Sequence, residues 1–239
     1  VMGEKDFFLL EHASVPGRFL TPAISKPQHL PGCRLTPDDL AQVSQRHLLT
    51  IPPEYEGGCE SVDAYLRNGE ARGIPENYKC RTRRPWFALR RVGMPPDAFL
   101  GYCVKWRLRA AVNLAGANST NNLHRVYLRR DLRPSASQIL ASWGNAVTAL
   151  SAELVGRVYS GGVLKIEPGD AAKLVVPDPS ALKYVPVDRI DRALRAGDDL
   201  AAWELADRVA CRALGISPSV MSRARRAQLA LRETRLGTA

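Results

Sequence analysis

An α+β fold is predicted by three features: prolines and glycines that cut the first half into short pieces, aromatic and β-branched runs suited to strands, and apolar residues recurring at three- and four-residue steps after Pro134. In order, Val15-Pro16-Gly17, Thr21-Pro22, Lys26-Pro27, Leu30-Pro31-Gly32 and Ile51-Pro52-Pro53 leave room for short strands and loops rather than long helices. Thr36-Pro37-Asp38-Asp39-Leu40 supplies the cap and first turn of a brief helix, and Ser61 to Asn68 reads as another, closed by Gly69. Phe99 to Trp106 and Leu123 to Leu128 read as strands. Beyond Pro134, Ser135 and Gln138 match a capping box, and Ile139, Leu140, Trp143, Val147, Leu150 and Leu154 predict one amphipathic helix of about five turns ending at Gly156. A non-helical passage from Arg157 to Pro186 follows. Three further helices are then predicted: Asp188 to Ala196 closed by Gly197, Asp199 to Leu214 closed by Gly215, and one from Pro218 onward capped by Ser217. The organisation expected is a strand-rich part over 1–134 and a mainly helical part over 135–239 with a basic last helix.

The 239 residues suffice for one generous core or two modest ones, and 45% hydrophobic with 24% charged residues excludes a disordered tail or a fibrous repeat. Lysine and arginine total 34 against 24 acids, a net charge of +10, and 27 of the cations are arginine, the side chain that grips phosphate in two-pronged fashion. The excess is local. Residues 67–133 hold fifteen basic and four acidic side chains. Such a block repels itself unless a polyanion lies against it, although arginine stems that merely cover apolar surface would give the same count.

The five cysteines are dispersed without metal-ligand spacing, which suits structural thiols in a reducing cytoplasm. No apolar run approaches the ~20 residues of a membrane span, and no export signal opens the chain. The first residue is Val1, as expected of a fragment of a longer polypeptide.

Catalytic groups are not found. Gly57-Gly58 and Gly161-Gly162 are isolated pairs rather than a phosphate-cradling loop, and the four histidines are far apart. No Gly-x-Ser-x-Gly elbow occurs, and no acid stands two residues before Lys105 or Lys183 in the manner of a metal-dependent nuclease. Ile51-Pro52-Pro53-Glu54-Tyr55 resembles an Asn-Pro-Pro-Tyr loop only superficially, since isoleucine has no acceptor for a target amine. No catalytic residue and no metal ligand is assigned.

Four constellations remain. Tyr78 to Phe87 sets Lys79, Arg81, Arg83 and Arg84 beside Tyr78, Trp86 and Phe87, a mixture suited to phosphate gripping with rings that stack on bases or brace the loop. In Lys105-Trp106-Arg107-Leu108-Arg109 the cations fall on every second position, which on a strand gives a cationic face opposite a buried Trp106 and Leu108. The run Asn113 to Arg125 offers Asn118, Ser119, Asn121, Asn122, His124 and Arg125. Asparagine pairs with adenine and arginine with guanine, so this is a base-reading candidate; a polar loop satisfying its own backbone is the competing reading. Last, Tyr159, Gly161, Gly162 and Lys165 set glycines, which allow close backbone approach to phosphate or a tight turn, beside a cation.

These runs, in this order, resemble the recognition region of the large adenine-specific, amino-methylating DNA methyltransferases of restriction-modification systems, the Eco57I-like, type II G group. The stretches carrying the likeness are Gly3-Glu4-Lys5-Asp6-Phe7-Phe8, Tyr78-Lys79-Cys80-Arg81 with Arg84-Pro85-Trp86-Phe87, Ala117-Asn118-Ser119-Thr120-Asn121-Asn122-Leu123-His124, and Tyr159 through Pro168. They span most of residues 3 to 176, and the last two are the most specific. The resemblance implies a target-recognition domain that binds duplex DNA for a catalytic domain, on the same or a separate polypeptide, that uses S-adenosylmethionine to methylate a flipped adenine. The cofactor-binding glycine motif and the Asn-Pro-Pro-aromatic loop of that group are absent from this chain. Arg81, Arg83, Arg84, Lys105, Arg107 and Arg109 are expected on phosphates, with Asn118, Asn121, Asn122 and His124 on base edges. Neutralising 6 to 10 phosphates implies an affinity loss of roughly 10³- to 10⁵-fold between 50 and 200 mM salt. Alternative readings are an RNA-binding or ribonucleoprotein assembly module with Trp86 and Tyr102 as stacking rings, or an interaction domain docking through its helices.

Overall fold

The computed structural model describes residues 5–10, 15–44, 46–89 and 94–237; Gly3, Glu4, His12, Arg90 and Arg91 lie outside them. The chain starts with α1 (Lys5–Phe8), β1 (Leu9–Leu10), β2 (Leu20–Ile24), β3 (Arg34–Leu35), α2 (Pro37–Val43) and β4 (His47–Leu49). Then come α3 (Glu60–Ala71), α4 (Tyr78–Arg81), β5 (Ala98–Gly101), β6 (Cys103–Val104), β7 (Ala110–Asn113), β8 (Asn118–Ser119) and β9 (Leu123–Val126). The remainder is α5 (Ala136–Ser142), α6 (Ala146–Val155), the hairpin β10 (Arg157–Tyr159) and β11 (Val163–Lys165), α7 (Pro168–Ala171), α8 (Val187–Arg195), α9 (Asp199–Leu214) and α10 (Pro218–Leu236). The fold is α+β.

The strands form three small sheets with orders β1-β4-β2-β8, β3-β7-β5-β9 and β10-β11-β6. Most pairings are antiparallel, whereas β2 runs parallel to β8 and β3 to β7. Prolines hold the strands short, as the sequence requires.

Several helix boundaries match their caps. Thr36 caps α2 through the Asp39 amide and receives the Asp39 carboxylate in return, Asp198 and Ser217 cap α9 and α10, and Gly215 closes α9 at φ 63°. Three expectations are corrected. The single helix ending at Gly156 is two, because Asn145 stops the first and caps the second, accepting from the Thr148 amide at 3.0 Å while donating to the Ser142 carbonyl at 2.8 Å. Gly69 does not close α3, which continues to Ala71; a Cβ there would lie 2.6 Å from Phe7, so glycine is needed for close packing. The strand expected over Phe99 to Trp106 breaks at Tyr102, and residues 105–109 form an irregular bend.

An N-terminal core gathers Phe7, Phe8, Phe19, Leu49, Ile51, Val62 and Ile74, with Trp86 and Phe87 packed against it. Pro134 marks a change in composition rather than an edge between cores. Ala98 of β5 packs with Ile139 and Leu140 of α5, and Cys33 packs with Ala141, Ile190 and Leu205. An ionic clamp adds to this: the Asp191 carboxylate of α8 accepts from the Cys33 and Arg34 amides at 2.8 and 3.1 Å, and Arg195 bridges Asp191 and Asp39. Burial pushes the Cys33 thiol up to about 12, leaving it an inert core group.

Candidate nucleic-acid interface

The β10–β11 hairpin joins the second half of the chain to β6 of the first. Its register pairs Arg157 with Lys165 and Lys165 with Cys103, so these side chains stand in one row on the outer face, while Val158, Leu164 and Val104 share the opposite face. Leu164 and Val104 lie in a core with Ala152 and Ile166. That core fixes the plane of the sheet and leaves the outer face to solvent.

On that face Lys165 Nζ lies 5.2 Å from the Tyr102 ring centre and 4.9 Å from that of Tyr159, and makes a 2.8 Å ion pair with Glu167. The Tyr102 hydroxyl donates to Glu167 at 2.5 Å. His124 Nε2 meets the Ile166 carbonyl at 2.8 Å, and its ring centre is 5.1 Å from that of Tyr102. Arg157 reaches Asp170 at 3.5 Å. The hydrogen bond to Glu167, then that to Tyr102, raises the Lys165 pKa, and the hydrogen bond from Lys165, then that from Tyr102, lowers that of Glu167; both stay ionised at neutral pH. Half-exposed rings, one acceptor and one donor are thereby held on a flat, electrically balanced surface.

Tyr78–Arg84 is organised differently. Short α4 buries Cys80 and leaves Lys79, Arg81 and Arg84 exposed. Arg84 Nη1 donates to the Arg81 and Arg83 carbonyls at 3.0 and 2.8 Å, which steadies the guanidinium without neutralising it. None of these three cations has a carboxylate partner among the described residues. Trp86 braces the segment from inside, 5.5 Å from the Phe7 ring centre and half-buried against Phe87, so it is an anchor.

Other expected contacts are corrected. Arg83 is 5% exposed with its guanidinium 5.3 Å from the Phe8 ring centre, turned into the core and away from any phosphate. In the 105–109 bend the expected alternation is lost: Leu108 packs inward, but Trp106 is 57% exposed, whereas Arg107 pairs with Asp199 at 3.1 Å and Arg109 donates to the Leu30 carbonyl at 2.8 Å. Lys105 remains exposed. Asn118 and Ser119 are buried, because β8 pairs with β2, and Asn113 closes the preceding turn on the Ala117 amide and carbonyl. For this half of the run the self-satisfied loop prevails.

Asn121 is exposed, Asn122 donates to the Ser25 carbonyl at 3.0 Å, and Arg125 is half-buried on β9. Gly162, at φ 68°, is backed by α10: a Cβ would lie 2.5 Å from the Arg235 carbonyl oxygen, so close helix packing rather than phosphate approach requires this glycine. Gly161, at φ 71° with open space around it, is a turn residue. The basic last helix turns key cations inward as well, Arg235 onto Glu153 and Arg225 onto Asp207, while Arg223 and Arg226 stay exposed.

The model of the C-terminal domain of the type II methyltransferase M.Eco57I matches residues 1–210. The chain belongs to this family of methyltransferase C-terminal domains. The type II methyltransferase M.XamI of Xanthomonas campestris pv. amaranthicola is 24% identical over 176 residues, covering 70% of this chain and 32% of that protein. The crystal structure of the type IIG restriction endonuclease BpuSI shares the fold at a TM-score of 0.52 and 15% identity, over 94% of this chain and 27% of that one. The chain thus spans about a third of the methyltransferase relative and about a quarter of BpuSI.

Membership in a methyltransferase family raises the methyl donor, and the residues present do not fit it. Gly57-Gly58 is an isolated pair late in the long loop from β4 to α3, and Gly161-Gly162 joins two strands of a hairpin; neither is a tight glycine-rich turn between a strand end and a helix start. A cavity of about 720 Å³ between α9 and α10 is lined by Trp203, Cys211 and Met221 of the helices and by Ile216 of the turn that joins them, and no glycine is among its lining residues. No group of residues among those described could hold a metal ion, and no helix among them is long and apolar enough to cross a membrane.

Glu167 was missed as a member of the site, and Tyr102 was named only as a stacking ring of the RNA-binding alternative. The signal was present: Lys165 and Glu167 are two residues apart at a strand end, a spacing that puts both on one side. Charge alone points away from the acid, because a carboxylate is repelled by a polyanion.

Proposed function

We propose that this domain binds duplex DNA and selects the target sequence for an S-adenosylmethionine-dependent adenine methylation carried out by a catalytic domain outside these residues, in the cytoplasm. The observation that carries this reading is the meeting of His124 with the distant stretch 159–168 on one face, where His124 sits on Ile166 and against Tyr102 beside Lys165 and Tyr159. Family membership supports it. Lys79, Arg81, Arg84 and Lys105 hold phosphates, and the hairpin face with Asn121 lies toward base edges. The β10–β11 hairpin is the outer edge of the three-stranded β10-β11-β6 sheet, and strands of a sheet can serve as the reading element in a DNA groove.

Burial of Arg83 and the internal partners of Arg107 and Arg109 lower the expected phosphate count to about four. The test is the dissociation constant of the chain for a mixed-sequence duplex between 50 and 200 mM salt. A log–log slope near −4 is expected, a loss of roughly 10²-fold. A flat response, or tighter binding to a structured RNA in direct competition, overturns the reading.

A further inference from the structure

Glu167 poses a physical problem on a surface that faces DNA. An acid beside phosphates weakens binding, yet this one is held in place by Tyr102 at 2.5 Å and Lys165 at 2.8 Å with its side chain 30% exposed. The neighbouring acid on the face, Asp170, is 9% exposed at its side chain and accepts from the Glu167 amide at 3.2 Å, so its role is to fix the strand end. With two partners for about four acceptor sites and its side chain 30% exposed, Glu167 keeps acceptor capacity. Lys165, 26% exposed, keeps one donor in the same position, since an ammonium has three and Glu167 and Tyr102 take two.

A G·C pair presents guanine N7 and O6 as acceptors beside the cytosine N4 donor, and O6 and N4 lie about 2.9 Å apart because they bond one another. An ammonium and a carboxylate 2.8 Å apart on the sheet face are the matching donor and acceptor. An A·T pair also offers an amine beside a carbonyl, but its thymine carbonyl is a single acceptor flanked by a methyl group, whereas guanine gives the ammonium two acceptors. The tyrosines on either side of Lys165 limit its sweep, so the pair keeps its order along the edge.

We propose that Lys165 and Glu167 together read one G·C base pair through the major groove, Lys165 donating to guanine O6/N7 and Glu167 accepting from cytosine N4. The assignment rests on the DNA-binding reading above and makes Glu167 a specificity-determining residue.

The experiment uses the full chain and a duplex recovered by selection from a random pool, with each base pair then replaced in turn. Wild type is expected to lose roughly ten- to hundredfold in affinity when one particular G·C is changed to A·T. Glu167→Gln is expected to erase that penalty at the same position while, by removing an acid and freeing the Lys165 charge, raising random-duplex affinity and the salt slope by up to about one. Lys165→Met should erase it as well, with a slope lower by less than one, because its charge is already balanced. A wild-type preference for A·T at every selected position, or an undiminished G·C penalty in Glu167→Gln, overturns the inference while DNA binding stands. A Glu167→Gln protein weakened equally on all duplexes also overturns it, since the acid then acts only by positioning Lys165. Failure of the wild type to bind any duplex removes the underlying reading instead, and thermal melting of both variants identifies loss of fold.

Discussion

Lys79, Arg81 and Arg84 stand in solvent without carboxylate partners among the described residues, whereas on the β10–β11–β6 face Lys165 is matched by Glu167 and Arg157 by Asp170. The two surfaces are suited to different work. Unbalanced charge attracts any polyanion and yields to salt, while balanced donors and acceptors gain only where a partner edge presents their complement. A third set of cations has no outward role. Arg83, Arg107, Arg109, Arg225 and Arg235 are drawn inward by Phe8, Asp199, the Leu30 carbonyl, Asp207 and Glu153. Net charge along the sequence therefore overstates the charge available to a partner.

The comparison depends on the hairpin face being held rigid, and the largest expected effect lies there. Arg235, 3% exposed at its side chain, pairs with the 5% exposed Glu153 and also donates to the Gly162 and Lys105 carbonyls, tying α10 to the hairpin turn and the 105–109 bend. Glu153→Ala leaves a buried guanidinium unpaired, at a cost of about 3–5 kcal/mol. For a chain of this length that is a fall of roughly 6–20 °C in melting temperature. Discrimination between duplexes should fall with it. An unchanged melting curve would show that α10 does not brace the face.

A smaller effect separates exposed from buried arginine within one short segment. Arg81→Ala with Arg84→Ala is expected to lower the salt slope by about 2 and affinity for all duplexes by roughly 10²-fold at 0.1 M salt, with melting unchanged. Arg83→Met, two residues from Arg81, is expected to do the reverse, lowering the melting temperature and leaving the slope intact. Equal slopes for both proteins would erase the distinction between the two kinds of cation.

How much of this was legible in the sequence follows from the range of the forces involved. Helix ends at Thr36, Asp198, Gly215 and Ser217 are set by contacts within a few residues, so their residues announce them. The break at Asn145, the passage of α3 through Gly69 and the inward turn of Arg107 are set by Thr148, Phe7 and Asp199, and the last two partners are remote in sequence. The site shows the same divide. Tyr159, Lys165 and His124 were legible as polar or aromatic residues in unusual runs, but their convergence needs β11 to pair with β6 across about sixty residues. Alternation misled at 105–109 because that segment is not a strand, and a two-residue period has no meaning in a bend.

The weakest expected effect concerns the ionic clamp between α8 and α2, which serves neither surface. Arg195 hydrogen-bonds the Asp39 carboxylate, which also accepts from the Thr36 amide and hydroxyl at 2.8 Å each, and these partners hold its pKa down to about 2. An unfolded aspartate titrates near ~3.9. The folded value is the lower one, so the pair contributes fully above pH ~4, and its contribution, about 2 kcal/mol, is lost as pH falls toward 2. Asp39→Asn should lower stability at pH 6 by about that amount and match wild type near pH 2. Glu167 is held low by the same kind of bonding, yet it sits on the open face, where water screens the pair and the ordinary worth of a surface ion pair is small. Acid unfolding followed by circular dichroism should therefore lose its steepest carboxylate-dependent step in Asp39→Asn and keep it in Glu167→Gln. The opposite result would make the hairpin pair a structural brace rather than a reader, and would dissolve the division between the two surfaces.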